Sequence, residues 1–136
     1  AQVSSFNASE LGCIVSCKVM EILTRPSTKE NVEMLTGLFA EELPKIQAKH
    51  PDFLKEIRQC GVIMGLKTSH PMGGVALMAA LLQNGVWAVY ADYDKGALQF
   101  KPGLLMPKET AEKVLAILDK ALGEAEQMVK SGRFGN

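Results

Sequence analysis

The sequence predicts a two-layer α+β domain within the broad α/β class. A small antiparallel or mixed sheet is covered by helices and preceded by a long apolar helix. Three observations carry this. Residues 61–122 run strand, helix, strand, turn, strand, helix in their apolar pattern. Glycine and proline fall between these stretches. With 47% apolar residues in 136, the chain has enough material for one core, and a domain of that length buries roughly two thirds of its unfolded surface.

The first helix is expected from about Ser9 to Leu23. Asn7 or Ser9 serves as its N-cap, and Glu10 sits near the positive end of the helix dipole. Leu11, Val15, Val19 and Ile22 share one face, which Ile14 and Cys17 widen. A helix this apolar calls for cover on more than one side, which a large partner surface would supply. Arg25-Pro26-Ser27 breaks the chain, and Ser27 with Glu30 reads as a capping box. The next helix is expected over 28–48, with Val32, Leu35, Phe39, Leu43 and Ile46 buried and a kink or early end at Pro44. His50-Pro51-Asp52 predicts a short turn of helix to Arg58, packed through Phe53, Leu54 and Ile57.

The first strand is expected over 61–67, with Gly65 marking a bulge or a close approach. A short helix follows over 72–83, loosened by Gly73-Gly74 and closed by Asn84-Gly85. Residues 86–90 predict a second strand, with Trp87 and Tyr90 on opposite faces and each covered. Asp92 to Gly96 reads as a hairpin turn into a strand over 97–101. Pro107 opens the last helix at its first position. Val114, Ile117, Leu118, Ala121 and Leu122 form its buried stripe, and fraying is expected past Glu124.

Fifteen basic and fifteen acidic side chains cancel, which argues against nucleic acid or an anionic membrane as partner. No apolar run reaches the ~20 residues that span a bilayer, and no signal-peptide pattern is present. Three cysteines, Cys13, Cys17 and Cys60, make no disulfide scaffold and predict a reduced, cytoplasmic protein. Cys13 and Cys17 are one helical turn apart, but without further ligands they read as core packing, and no metal site is expected. His50 and His70 both precede proline and read as solvated turn residues. The methionines Met64, Met72, Met78 and Met106 read as core more readily than as interface. No residues form an obvious catalytic set, and the glycines match neither a phosphate loop nor a dinucleotide fingerprint.

Three local words in order carry a resemblance. Ser4-Ser5-Phe6-Asn7-Ala8-Ser9-Glu10-Leu11-Gly12-Cys13 stands where a known family has Ser/Thr-Thr-Phe/Tyr-Gly-Gly-Asn-Pro-Leu-Ala-Cys. Ile57-Arg58-Gln59-Cys60-Gly61-Val62-Ile63-Met64-Gly65 stands for Val-Arg-Gly-x-Gly-Leu-Met-x-Gly. Gln99-Phe100-Lys101-Pro102-Gly103-Leu104 stands for Arg-Phe-x-Pro-Pro-Leu. The chain thus resembles the C-terminal part of class III pyridoxal-phosphate-dependent aminotransferases, the ornithine, acetylornithine and 4-aminobutyrate group. The resemblance implies the small C-terminal domain of a fold type I enzyme over 26–130. A residual large-domain segment and linking helix would occupy 1–25, and a flexible tail 131–136.

It also implies that the lysine, the aspartate and the stacking ring that hold pyridoxal 5'-phosphate lie upstream, in a missing N-terminal large domain of the same protein. An initial Ala1 in place of Met fits a piece of something longer. The parent would be a homodimer acting on a small amino-group substrate. This chain alone would be inactive, with no cofactor bound covalently and no catalytic residue of its own. Ser5 matches the family hydroxyl that meets the cofactor phosphate across the dimer interface. Gln99 stands at the position of the substrate-carboxylate arginine, and a neutral amide cannot make that bidentate, charge-assisted pair. The competing expectation is a non-catalytic α/β module that dimerises through its first helix.

Overall fold

The computed structural model describes residues 9–132. Helix α1 (Glu10–Leu23) and helix α2 (Pro26–Lys49) lead into strands β1 (Leu54–Cys60) and β2 (Ile63–Thr68). Helix α3 (Gly73–Gln83) follows, then β3 (Val89–Ala91), β4 (Asp94–Phe100) and helix α4 (Lys108–Lys130). The four strands form one sheet in the order β1-β2-β4-β3, antiparallel throughout.

One sheet face is covered and the other is open. Leu54, Met64, Leu66, Leu98 and Phe100 point to the covered face and are buried. They form a single cluster with Leu35, Phe39 and Leu43 of α2, Leu77 and Leu81 of α3, and Leu118 and Leu122 of α4. Phe39 meets Phe100 edge to face, with centroids 5.6 Å apart and planes at 87°. Alternate residues of the same strands (Glu56, Arg58, Gly65, Lys67, Gln99) line the open face.

Several local expectations need correction. Residues 54–60 are an edge strand, not a turn of helix. Leu54 and Ile57, three apart, mimic helical spacing because the register shifts between Leu54 and Glu56. Gly61 (φ 59°) and Val62 form a two-residue hairpin turn with glycine first, a signal that residues 61–67 alone obscured. The capping box at Ser27 does not form. Pro26 occupies the first turn of α2, and the Thr28 hydroxyl donates to the Ile22 carbonyl at 2.8 Å. Helix α2 runs through Pro44 to Lys49, held by buried Leu43 and Ile46 on either side. Helix α4 does not fray at Glu124: buried Ala125 carries it on to Lys130.

Gly65 sits in regular ladder, where an added Cβ would meet only the Arg58 Cβ at 3.9 Å. The close approach belongs instead to Gly73-Gly74. A Cβ on Gly73 would fall 2.0 Å from Thr68 Oγ1, and one on Gly74 would fall 2.4 Å from the Ala97 carbonyl oxygen. The first turn of α3 therefore rests directly on the ends of β2 and β4. Asn84 and Gly85 (φ 82°) close α3 as expected. Asn84 also donates to Glu124 and accepts from Lys120, both at 2.7 Å, tying α3 to α4.

Helix α1 stands apart. Ser9 caps it, accepting the Gly12 N–H at 3.4 Å. None of its residues is buried. Leu11, Ile14, Val15, Val19 and Met20 are exposed by 46% or more, so none of the described residues covers the apolar face that called for cover.

Candidate functional site

The open face of the sheet carries ordered charge. Arg58, Gly65, Gln99 and Val89 are register partners in one row across all four strands. Gly65 brings no side chain, so the surface between Arg58 and Gln99 stays clear. Arg58 makes two hydrogen bonds to Glu56, at 2.8 and 2.7 Å. Lys67 makes two to Asp94, at 2.6 and 2.7 Å. The Lys67 ammonium holds the Asp94 carboxyl below its ordinary range, aided by the Gly96 N–H. The Arg58 guanidinium does the same for Glu56. Each of these cations is thus matched by a carboxylate of its own.

The end of the row differs. The β3–β4 ladder stops at Val89 and Gln99, and the two chains then diverge. Between them lies a cleft of about 370 Å³, lined among others by Trp87, Val89, Gln99, Lys101, Met106 and Val114. Gln99 donates through Nε2 to the Tyr90 carbonyl at 3.3 Å and accepts the Lys101 ammonium on Oε1 at 2.5 Å. The 101–106 wall is tied to α2 through Asn31, which donates to the Leu104 and Met106 carbonyls at 2.8 and 3.2 Å. The expectation that Trp87 would be covered is not met: it is 79% exposed at the cleft.

Gln99 therefore lies at the mouth of a built cleft. Ser5 lies outside the described residues. No motif in the sequence marks Lys101, which also lines the cleft; its spacing of two from Gln99 on an extended segment puts both on one side. The histidines lie at chain turns as expected, but they are half-buried and bonded rather than solvated. The His50 side chain is 15% exposed and meets Asp119 through Nε2 at 2.8 Å. His70 Nδ1 accepts the Met72 N–H at 3.1 Å, at the entrance of α3. Cys13 and Cys17 are exposed on α1, so they are not core in this chain. Met64 is buried, and Met78 and Met106 pack against the core.

A pyridoxal phosphate site needs a screened amine, a carboxylate for the ring nitrogen and phosphate donors in one cavity. The cleft offers Lys101 and Gln99 among mostly apolar walls, with no carboxylate in its lining. A second, more open hollow is lined by Glu42, Lys49, Glu112 and Asp119 beside Leu38 and Ile46. Neither assembles the set, so the described residues do not by themselves fit that cofactor. Among the described residues no three His, Cys, Asp or Glu side chains converge on a metal position. No described helix is long and apolar enough to cross a membrane.

Comparison with known proteins matches residues 2–122 to the class-III aminotransferase family. An uncharacterized aminotransferase of Archaeoglobus fulgidus is 36% identical over 125 residues, covering 92% of this chain and 29% of that protein. The acetylornithine aminotransferase of Rhodobacter capsulatus is 30% identical over 123 residues, covering 90% and 30%. Among solved structures, the acetylornithine aminotransferase of Elizabethkingia anophelis aligns with a TM-score of 0.78 at 22% identity, over 91% of this chain and 31% of that one. The ornithine aminotransferase of Toxoplasma gondii aligns with 0.79 at 20% identity, over 95% and 30%. The fold of the described residues recurs in those enzymes, and this chain spans under a third of their length. On the match over residues 2–122, the chain belongs to the class-III aminotransferase family.

Proposed function

We propose that the chain is the C-terminal portion of a pyridoxal-phosphate-dependent aminotransferase. The whole enzyme moves an amino group from an amino donor to a keto or aldehyde acceptor. The family match over residues 2–122 carries this reading. The bare face of α1 supports it, because an apolar surface of that size calls for a covering partner. In this reading residues 1–25 belong with a large domain of the same protein that supplies the cofactor site, and 26–130 form the small domain. Ser5 donates its hydroxyl to the cofactor phosphate across a homodimer interface, and Gln99 faces the small amino-group substrate. The isolated chain does not transaminate. Three exposed free thiols fit a reducing, cytoplasmic setting.

The test is borohydride reduction of the full natural protein followed by peptide mapping. A reduced cofactor adduct on a lysine outside these 136 residues is the expected result. A natural product that begins near Ala1 and traps nothing would overturn the reading. The exposed α1 face would then favour a dimerisation module on an aminotransferase-like fold.

A further inference from the structure

We propose that Asn84-Gly85 is a site of spontaneous deamidation, held in check by a clasp between Asn84 at the end of α3 and Lys120 and Glu124 of α4. The inference is independent of the cofactor and the substrate of the parent enzyme.

The pair itself sets the chemistry. Asn84 is the one asparagine of the 136 residues that is followed by glycine. Glycine has no Cβ, so its nitrogen is unhindered and its backbone turns freely. In the reaction the Gly85 nitrogen attacks Asn84 Cγ. The N–Cγ bond forms, the Cγ–Nδ2 bond breaks, and ammonia leaves with the proton that Gly85 gives up. Water then opens the cyclic imide. Attack at Cγ leaves aspartate at 84. Attack at the main-chain carbonyl leaves isoaspartate, with the chain rerouted through Cβ and Cγ. Water is the only co-reactant, and nothing is oxidised or reduced. Gly85 is exposed, so water has access to it.

The atoms that must move are held. Asn84 Nδ2 donates to the Ala80 carbonyl at 2.8 Å and to Glu124 Oε2 at 2.7 Å. Oδ1 accepts the Lys120 ammonium at 2.7 Å. Lys120 and Glu124 face each other at 3.5 Å, which closes the clasp. The Gly85 N–H donates to the Leu82 carbonyl at 3.1 Å. The backbone adds a second barrier. At ψ 13° the Gly85 nitrogen nearly eclipses the backbone nitrogen of Asn84, whereas ring closure needs it over Cβ. Asn84 must therefore leave the cap of α3 before it reacts. Leaving breaks its bonds to a carboxylate and an ammonium, which are the stronger kind of hydrogen bond.

The product cannot rebuild the clasp. An ionised aspartate has no donor, so its carboxylate would stand against Glu124 and the Ala80 carbonyl, where Asn84 donates. Isoaspartate lengthens the main chain at the turn where Gly85 has φ 82°. Either product loosens α3 from α4, and neither reverts to the amide.

The test incubates the full natural protein at mildly alkaline pH, where the Gly85 nitrogen gives up its proton more readily. Residue 84 is followed by peptide mass mapping, through the mass gain of amide-to-acid conversion and the separate elution of the isoaspartyl peptide. The native protein is expected to convert at least about tenfold more slowly than the same protein unfolded in guanidinium, because reaction waits on local opening. Glu124→Ala and Lys120→Met are each expected to raise the native rate about threefold or more, as loss of a charge-assisted bond requires. Phe39→Leu, a core substitution outside the clasp, controls for general loosening and should stay near the unaltered rate. Asn84→Asp reproduces the aspartyl product and is expected to lower the unfolding midpoint.

A native rate equal to the unfolded rate, no conversion in the unfolded protein, or clasp variants that convert no faster than the unaltered protein would each overturn the proposal. So would acceleration by Phe39→Leu equal to theirs. An Asn84→Asp midpoint equal to the unaltered one would overturn the loosening of α3 from α4. If neither clasp variant folds, the native-to-unfolded ratio in the unaltered protein still decides.

Discussion

Helices α1 and α4 carry equally legible apolar stripes and meet opposite fates. In α4, Leu115, Leu118, Ala121 and Leu122 are buried against α2, α3 and the sheet. In α1, Leu11, Val15 and Val19 also repeat at a helical spacing, yet no residue of the helix is buried. Periodicity shows that a face wants cover; only the fold shows whether this chain provides it. The difference separates a body stabilised by its own core from a helix that none of the described residues covers.

The largest expected effect tests that separation directly. Leu118 is fully buried, so Leu118→Ala should cost about 3 kcal/mol or more in urea unfolding of the 136-residue chain. Val15 is 53% exposed, so Val15→Ala should stay within about 0.5 kcal/mol. A Val15→Ala cost rivalling that of Leu118→Ala would break the comparison, because α1 would then be packed within this chain. In the full protein the order is expected to change, with Val15→Asp becoming strongly destabilising once a covering surface is present.

A matched pair of glycines sharpens the contrast with a somewhat smaller effect. Gly74→Ala would push a methyl group to 2.4 Å from the Ala97 carbonyl oxygen, and backbone cannot swing aside. The expected loss is about 2–3 kcal/mol, read from the unfolding midpoint. Gly12→Ala in α1 meets nothing closer than Ser9 Cβ at 3.5 Å. It should raise helix content, by about 0.8 kcal/mol of propensity, without moving the midpoint of the body. The same substitution in two helices thus separates tertiary packing from local propensity.

These cases also show what the sequence could reveal. The α4 stripe was readable because one side of the helix is solvated, which leaves a clean period. Strand β1 imitates a helix in the sequence because it is an edge strand with a register shift, and charged Lys55, Glu56 and Arg58 leave it few apolar residues to alternate. Gly73-Gly74 read as a weak point, since its need for closeness lies in Thr68 and Ala97, which only the fold brings near. At the candidate site, Gln99 was found through the Arg-Phe-x-Pro-Pro-Leu word. Lys101 reaches the cleft because β3 pairs with β4 only from Val89 onward, and no local pattern in the sequence marks that end of the ladder.

The smallest expected effect concerns how the two helices use their carboxylates. Asp119 of α4 lies between Lys49 Nζ at 2.5 Å and His50 Nε2 at 2.8 Å, joining α4 to the end of α2. Burial is the largest single influence and opposes its charge, but the hydrogen bonds from Lys49 and His50 together outweigh it. Its carboxyl is therefore held below the ordinary value of 3.8. A depressed folded value means that the stabilisation is present above the unfolded value and is lost as pH falls through the folded one. The unfolding midpoint should thus drop as pH falls from about 5 to 3. Asp119→Asn should cost about 1 kcal/mol at neutral pH and flatten that part of the drop. Glu21 of α1 is also depressed, by Lys18 first and Arg25 second, yet both partners lie on or beside the same exposed helix. Glu21→Gln should change α1 helicity by circular dichroism and leave the midpoint and its pH slope untouched. If Glu21→Gln flattened the slope as Asp119→Asn does, α1 would be coupled to the body, and the division between a self-sufficient core and a helix awaiting its cover would fail.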